Sequence, residues 1–161
     1  MKKTFIWFLI AVLLLCAAGC GQEEVGTQPA ASTDAVDLGA VMQEMLDTVS
    51  LPEMMTLTDS DLTDYFGLEA AWYADCAACI NANGYEKDEI ILVHAADADS
   101  VPQIKDCLQT VLENAAAEMQ NYIPEQYAMI RNCAVESDGL YVWLFISDAA
   151  DQLQTILDKS I

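Results

Sequence analysis

The sequence predicts an α+β fold: one antiparallel four-stranded sheet with helices packed on it, in the order α-α-β-β-α-β-β-α. Three observations carry this. Two runs rich in β-branched and aromatic residues lie on either side of Asn83-Gly84, a turn signal between paired strands. Two more flank Asp138-Gly139, an equally strong hairpin cue. Between the hairpins lies a long stretch whose apolar residues recur at helical spacing. Two hairpins joined by such a helix bury their apolar faces together as one sheet under a helical layer.

Each element has its own local cause. The domain begins near residue 34. Leu38, Val41, Met42, Met45, Leu46 and Val49 mark the buried face of a first helix, and Asp37 supplies its capping oxygen. Pro52 closes this region. Thr58-Asp59-Ser60-Asp61 opens a short helix that runs to Phe66 and stops at Gly67. Residues 72–80 read as the first strand and residues 89–94 as the second. Alternation places Trp72, Ala74, Cys76, Ala78 and Ile80 on one face of the first strand and Cys79 on the other.

Residues 97–100 supply capping oxygens for the longest helix, and Pro102 falls in its first turn, where the missing N–H costs nothing. Val101, Ile104, Leu108, Val111, Leu112, Ala115 and Met119 form its broad apolar face. Pro124 breaks it, and residues 125–130 add a further helical turn. Residues 132–136 and 140–146 are the last two strands. The second of these is apolar on both faces, so it needs cover on both sides. Ser147 or Asp148 caps a final helix that buries Leu153, Ile156 and Leu157.

The N-terminus gives an address. Lys2 and Lys3 precede an apolar run over residues 5–15, and Ala17-Ala18-Gly19-Cys20 follows. A basic start, an apolar core and small residues before a cysteine describe a lipoprotein signal. Residues 1–19 are then the signal peptide, and Cys20 is the lipidated residue that places the protein on the outer face of the cell membrane. The 14 residues from Trp7 to Cys20 fall short of the ~20 that span a bilayer. Residues 20–33 lack apolar periodicity and form a flexible tether with a reach on the order of 20 Å. Residues 34–161 form a single domain.

Charge narrows the partners. The chain carries 6 basic and 26 acidic residues, a net charge of −20. All 26 acids follow Gly19, and only Lys87, Lys105, Arg131 and Lys159 remain beside them after cleavage. Nucleic-acid binding needs Lys and Arg to neutralise phosphates, so that class is excluded. Anionic headgroups repel the same surface, which leaves the acyl chains on Cys20 to hold the membrane.

Cys76, Cys79, Cys107 and Cys133 lie in the domain, an even number in an exported chain. They admit three full disulfide pairings or four free thiols, and sequence does not choose. Cys107 lies at the edge of the long helix's apolar face, on the side toward which Cys76 points, so a bridge between them is one option. Cys76-Ala77-Ala78-Cys79 has redox-motif spacing, but that chemistry needs the first thiol at a helix N-terminus, and a strand separates the two thiols onto opposite faces. Asp59 to Asp64 begins like a calcium loop, yet the sixth and twelfth positions hold Asp64 and Ala70 instead of Gly and Glu. His94, the single histidine, reads as a hydrogen-bonded residue at a strand end. Met42, Met45, Met54 and Met55 read as core filling. Trp72, Tyr73, Tyr141 and Trp143 read as core packing in preference to a carbohydrate platform. No cofactor or metal is expected.

Met54-Met55-Thr56-Leu57-Thr58, the run from Leu62 to Leu68, Glu89 to Val93 followed by Ala98-Asp99, and Asp138 to Val142 with the acidic start at Asp148 form a set. Through these residues the chain resembles a family of uncharacterised bacterial lipoproteins, common in Gram-positive anaerobes and defined by a domain of unknown function. The resemblance implies no established activity, and it implies the company of cell-surface polysaccharide O-acylation machinery. The domain's cysteines are not part of that pattern. The expectation is a membrane-tethered, non-enzymatic binding or accessory module with a cell-envelope protein or glycan partner. The alternative is a thiol-disulfide redox protein using Cys76 and Cys79.

Overall fold

The computed structural model describes residues 35–161. The signal peptide, the tether and Cys20 lie outside the described residues. Helix α1 (Leu38–Thr48) starts as its sequence dictates: Asp37 Oδ1 accepts from the Ala40 N–H at 2.9 Å. A second carboxylate serves the same end from the sheet, where Asp75 Oδ2 accepts from the Leu38 N–H at 3.0 Å. Two of the four unpaired N–H groups of the first turn are thereby satisfied. Strand β1 (Met54–Thr56) follows, then α2 (Asp59–Phe66). Asp61 reaches back to the Thr58 N–H at 2.8 Å, closing the capping arrangement, and the bond from the Thr58 hydroxyl, followed by this one, holds its carboxyl below the usual range.

Gly67 ends α2 with φ +74°, donating its N–H to the Thr63 carbonyl at 2.9 Å. No atom lies within 4 Å of the position a Cβ would take there. Gly67→Ala is therefore a purely conformational penalty, expected to cost about 1 kcal/mol. A urea midpoint lowered at unchanged slope is the result that checks it.

The remaining elements are β2 (Tyr73–Asn81), β3 (Glu89–Ala95), α3 (Ser100–Met119), α4 (Pro124–Ile130), β4 (Val135–Asp138), β5 (Tyr141–Ile146) and α5 (Ala150–Leu157). Asp97 Oδ1 starts α3 by accepting from both the N–H and the hydroxyl of Ser100, each at 2.8 Å. The strands form one antiparallel sheet in the order β1-β2-β3-β5-β4.

The sheet has five strands where the sequence predicts four, and α4 is a helix of its own. The extra strand is β1. Three residues carry no alternation to read; β1 exists because the outer edge of β2 offers unpaired backbone groups, which Met54, Met55 and Thr56 satisfy opposite Asn81, Ile80 and Cys79. Strand β4 is also displaced, covering Val135–Asp138 where the sequence predicts 132–136, because the N–H groups of Asn132 and Cys133 are taken by the Met129 and Ile130 carbonyls at the end of α4. The fold is otherwise the expected α+β arrangement.

Two apolar layers sandwich the sheet. On one face Ala78, Ile91, Val93, Val142, Leu144 and Ile146 pack beneath α3 with Ile104, Leu108 and Leu112. On the other, Cys79, Ile90, Leu92, Trp143 and Phe145 pack beneath α1 and α5. Strand β5 thus receives cover on both faces, as its two-sided apolar pattern requires. Alternation in β2 holds from Cys76 onward. Before it, a register shift between Tyr73 and Asp75 turns Tyr73 toward the same layer as Trp72 and Cys76.

Candidate functional site

The β2–β3 connection carries the polar machinery of this molecule. Asn83 begins an Asx turn, its Oδ1 accepting from the N–H groups of Tyr85 at 2.8 Å and Glu86 at 3.1 Å. Gly84 takes the required positive φ of 72°. Asn81 sits beneath the turn and donates to Asp88 Oδ2 at 3.1 Å and to Glu86 Oε2 at 3.4 Å. Two ties hold the loop against the helical layer. The Lys87 N–H donates to Gln126 Oε1 of α4 at 2.8 Å, and Lys87 Nζ pairs with Glu118 of α3 at 2.9 Å.

Between this loop, the end of α2 and the middle of α3 lies a cleft of about 440 Å³. Tyr65 and Phe66 line it from α2, Thr110 and Glu118 from α3, and Glu89 from the sheet. Glu89 is the anomaly. It is the first residue of β3, only 8% exposed, and its cross-strand neighbours are Ile80 and Ile146. Its Oε2 is buried without a hydrogen-bond partner. Burial raises its pKa above the ordinary 4.5; Lys87 opposes this and Glu118 adds to it. Asp88 beside it is raised too, first by burial, with the bonds from Asn81 and Ser147 working against the rise. A buried acid lacking a partner is costly unless something completes it.

The residues singled out from sequence lie elsewhere. Cys76, Cys79, Cys107 and Cys133 are free thiols. Cys76 packs in the layer under α3 and Cys79 in the layer under α1, on opposite sides of the sheet. Cys79 Sγ lies 3.5 Å from Met42 Sδ. Cys107 is turned to the Phe66 carbonyl at 3.2 Å, and Cys133 to that of Met129 at 3.4 Å. Burial pushes Cys76 and Cys79 up to about 12, with Asp75 and Asp59 adding to the rise at Cys76. Burial likewise raises Cys107 and Cys133. Nothing here makes a thiolate nucleophile, which needs positive surroundings or a helix N-terminus. Cys76 and Cys79 are therefore expected to react with iodoacetamide at neutral pH more than ~100-fold slower in the folded chain than after unfolding. Mass spectrometry of timed aliquots checks this, and equal rates would mean the thiols are open to solvent.

His94 is held by stacking on Tyr141, with ring centroids 4.6 Å apart, in place of the expected hydrogen bonding. Tyr141 Oη accepts from the Val36 N–H at 3.2 Å, which fastens the chain entering α1. Trp143 is buried and donates to Gln154 of α5 at 2.7 Å. Trp72 and Tyr73 pack on the opposite sheet face from Tyr141 and Trp143, so the four aromatics share no platform. Among the described residues no three His, Cys, Asp or Glu side chains are grouped to hold a metal ion, and no helix is long and apolar enough to cross a membrane.

Glu89 escaped sequence reading because an acid at a strand start is ordinarily solvated. The signal available was its position: it follows Asp88 directly and shares the face of Ile91 and Val93, which is covered from end to end.

Fold and site together define a three-layer α+β domain with an acid-floored cleft at one end of its sheet. The chain belongs to the family defined by the domain of unknown function DUF4358, whose model matches residues 47–147. The whole lining of the cleft falls within that match, whereas most of α1 and all of α5 fall outside it. Neither the curated proteins nor the solved structures give a match.

Proposed function

We propose that this protein is a membrane-tethered, extracytoplasmic binding or accessory module with no catalytic step of its own, and that the cleft over Glu89 is its ligand site. The lipid on Cys20 holds it to the outer face of the membrane. A cell-envelope protein or glycan is its partner, in the setting of cell-surface polysaccharide modification. One observation carries the assignment of the site: a glutamate on the wall of a ligand-sized cleft whose carboxylate has a buried oxygen without a partner. The neighbouring polar groups are spent on holding the loop, which suits a preformed receptor more than a proton relay.

Two substitutions test this in the mature, full-length chain. Thr110→Trp places an indole in the cleft mouth. It should remove the amide shift changes that a library of small polar fragments produces at Ala82, Thr110 and Glu118, while the urea midpoint stays within ~0.5 kcal/mol of the parent. Fragment shifts that persist in Thr110→Trp, or that map elsewhere, would reject the cleft. Cys20→Ser should release the domain into the medium or leave an uncut precursor. A Cys20→Ser variant still membrane-bound at the normal mature mass would reject the anchor.

A further inference from the structure

We infer that the cleft is an ammonium site: it takes a small ligand whose primary ammonium group docks on the Glu89 carboxylate and whose apolar body lies against Phe66. This rests on the cleft being the ligand site and adds the chemical class of the ligand.

Donors and acceptors around the cleft are unequally free. Asn81 spends its side-chain N–H groups on Asp88 and Glu86. Thr110 gives its hydroxyl proton to the Asp106 carbonyl at 2.9 Å, so toward the cleft it only accepts. Lys87 is paired with Glu118. Glu89 lines the cleft, its Oε2 is buried without a partner, and ionised the carboxylate only accepts. The Asn114 amide and the Tyr65 hydroxyl also line the cleft and can each accept as well as donate. A primary ammonium brings three donors and no acceptor, which suits Glu89, Thr110 and the accepting atoms of those two groups.

Charge points the same way. Glu86, Asp88, Glu89 and Glu118 line the cleft against Lys87 alone, so an anionic ligand is repelled. A hard metal ion wants six or more oxygen ligands, and the described residues group no three metal-binding side chains. Half-buried Phe66 and exposed Tyr65 offer ring surface on the same wall, favourable to an organic cation and its hydrocarbon.

The test uses three probes of one shape, phenethylammonium, 2-phenylethanol and 3-phenylpropanoate, titrated into the mature chain at pH 7.5 and followed by amide shifts. Phenethylammonium should move the amides of Ala82, Thr110 and Glu118 and bind about tenfold or more tighter than 2-phenylethanol. 3-Phenylpropanoate should not move them. Glu89→Gln should lower phenethylammonium affinity about tenfold and leave that of 2-phenylethanol unchanged. The same ammonium affinity in Glu89→Gln would show attraction to the acidic surface at large and overturn the inference. So would equal or tighter binding of the alcohol or the acid. Thr110→Val, which removes an exposed acceptor together with the hydroxyl's bond to the Asp106 carbonyl, should weaken the ammonium alone and serves if Glu89→Gln does not fold. If none of the three probes binds, the cleft itself is rejected as the ligand site; if they bind without preference for the ammonium, only its assignment to this class falls.

Discussion

Trp143→Ala should destabilise the fold by about 3–5 kcal/mol, the usual range for truncating a buried aromatic. Three losses combine. The indole is 5% exposed, at the centre of the layer that α1 and α5 close against the sheet. Its removal leaves a cavity between Leu92, Phe145 and Leu153, which the two helices cannot fill without sliding on the sheet. Gln154 Oε1 also loses the indole N–H that binds it at 2.7 Å. Trp143→Phe separates these contributions: it keeps most of the ring and loses the donor, so it should cost about 1 kcal/mol plus a smaller packing loss. Urea titrations of both variants check the pair. A Trp143→Ala loss below ~1 kcal/mol would mean that α5 does not depend on this side chain.

Glu89→Gln should stabilise the unliganded protein at pH 7.5, because the amide puts no charge into the buried site. Most substitutions destabilise, so the sign is itself diagnostic. The groups facing Glu89 are Lys87 and Glu118, with Glu86 and Asp88 on the same loop; Lys87 lowers its pKa, but burial and Glu118 raise it, and the raising effects dominate. A carboxyl whose folded pKa lies above its unfolded value takes up a proton more readily when folded. Its penalty is therefore full above the folded pKa, where the group must be ionised in both states. It shrinks as pH falls through the folded pKa and is gone below the ordinary 4.5. The advantage of Glu89→Gln should follow the same course, large at pH 7.5 and vanishing near pH 4. Denaturant midpoints of the two proteins across this range decide the matter. A flat difference, or a loss of stability at pH 7.5, would mean that Glu89 is already satisfied.

A residue that weakens the empty fold and serves the bound one is the ordinary trade between stability and a binding site. The same substitution should thus raise stability and lower ammonium affinity, and a purely structural role for Glu89 would not join those two results.

Much of the fold was legible because its causes are local. Asp37 and Asp97 are capping oxygens within three residues of the N–H groups they serve. Gly67, Gly84 and Gly139 each take the positive φ that marks a helix end or a turn. The separation of Cys76 from Cys79 follows from their odd spacing in a strand, and it removes the redox geometry whatever packs on either side. The site was far less legible. Phe66 and Thr110 show their roles in helices α2 and α3, but nothing in either helix says that both face one cleft.

The sequence by itself determined helices α1, α2, α3 and α5, the two hairpins and the two-sided burial of β5, since each depends on neighbours in the chain or on a period read along it. Tertiary structure decided the rest. It paired Met54–Thr56 with the open edge of β2 and placed β5 beside β3 with β4 outside. It also closed α2, α3 and the 82–88 loop around the Glu89 carboxyl. Those outcomes depend on backbone groups and apolar surface brought together from distant positions, and the cost of burying Glu89 exists only once Ile80 and Ile146 stand on either side of it.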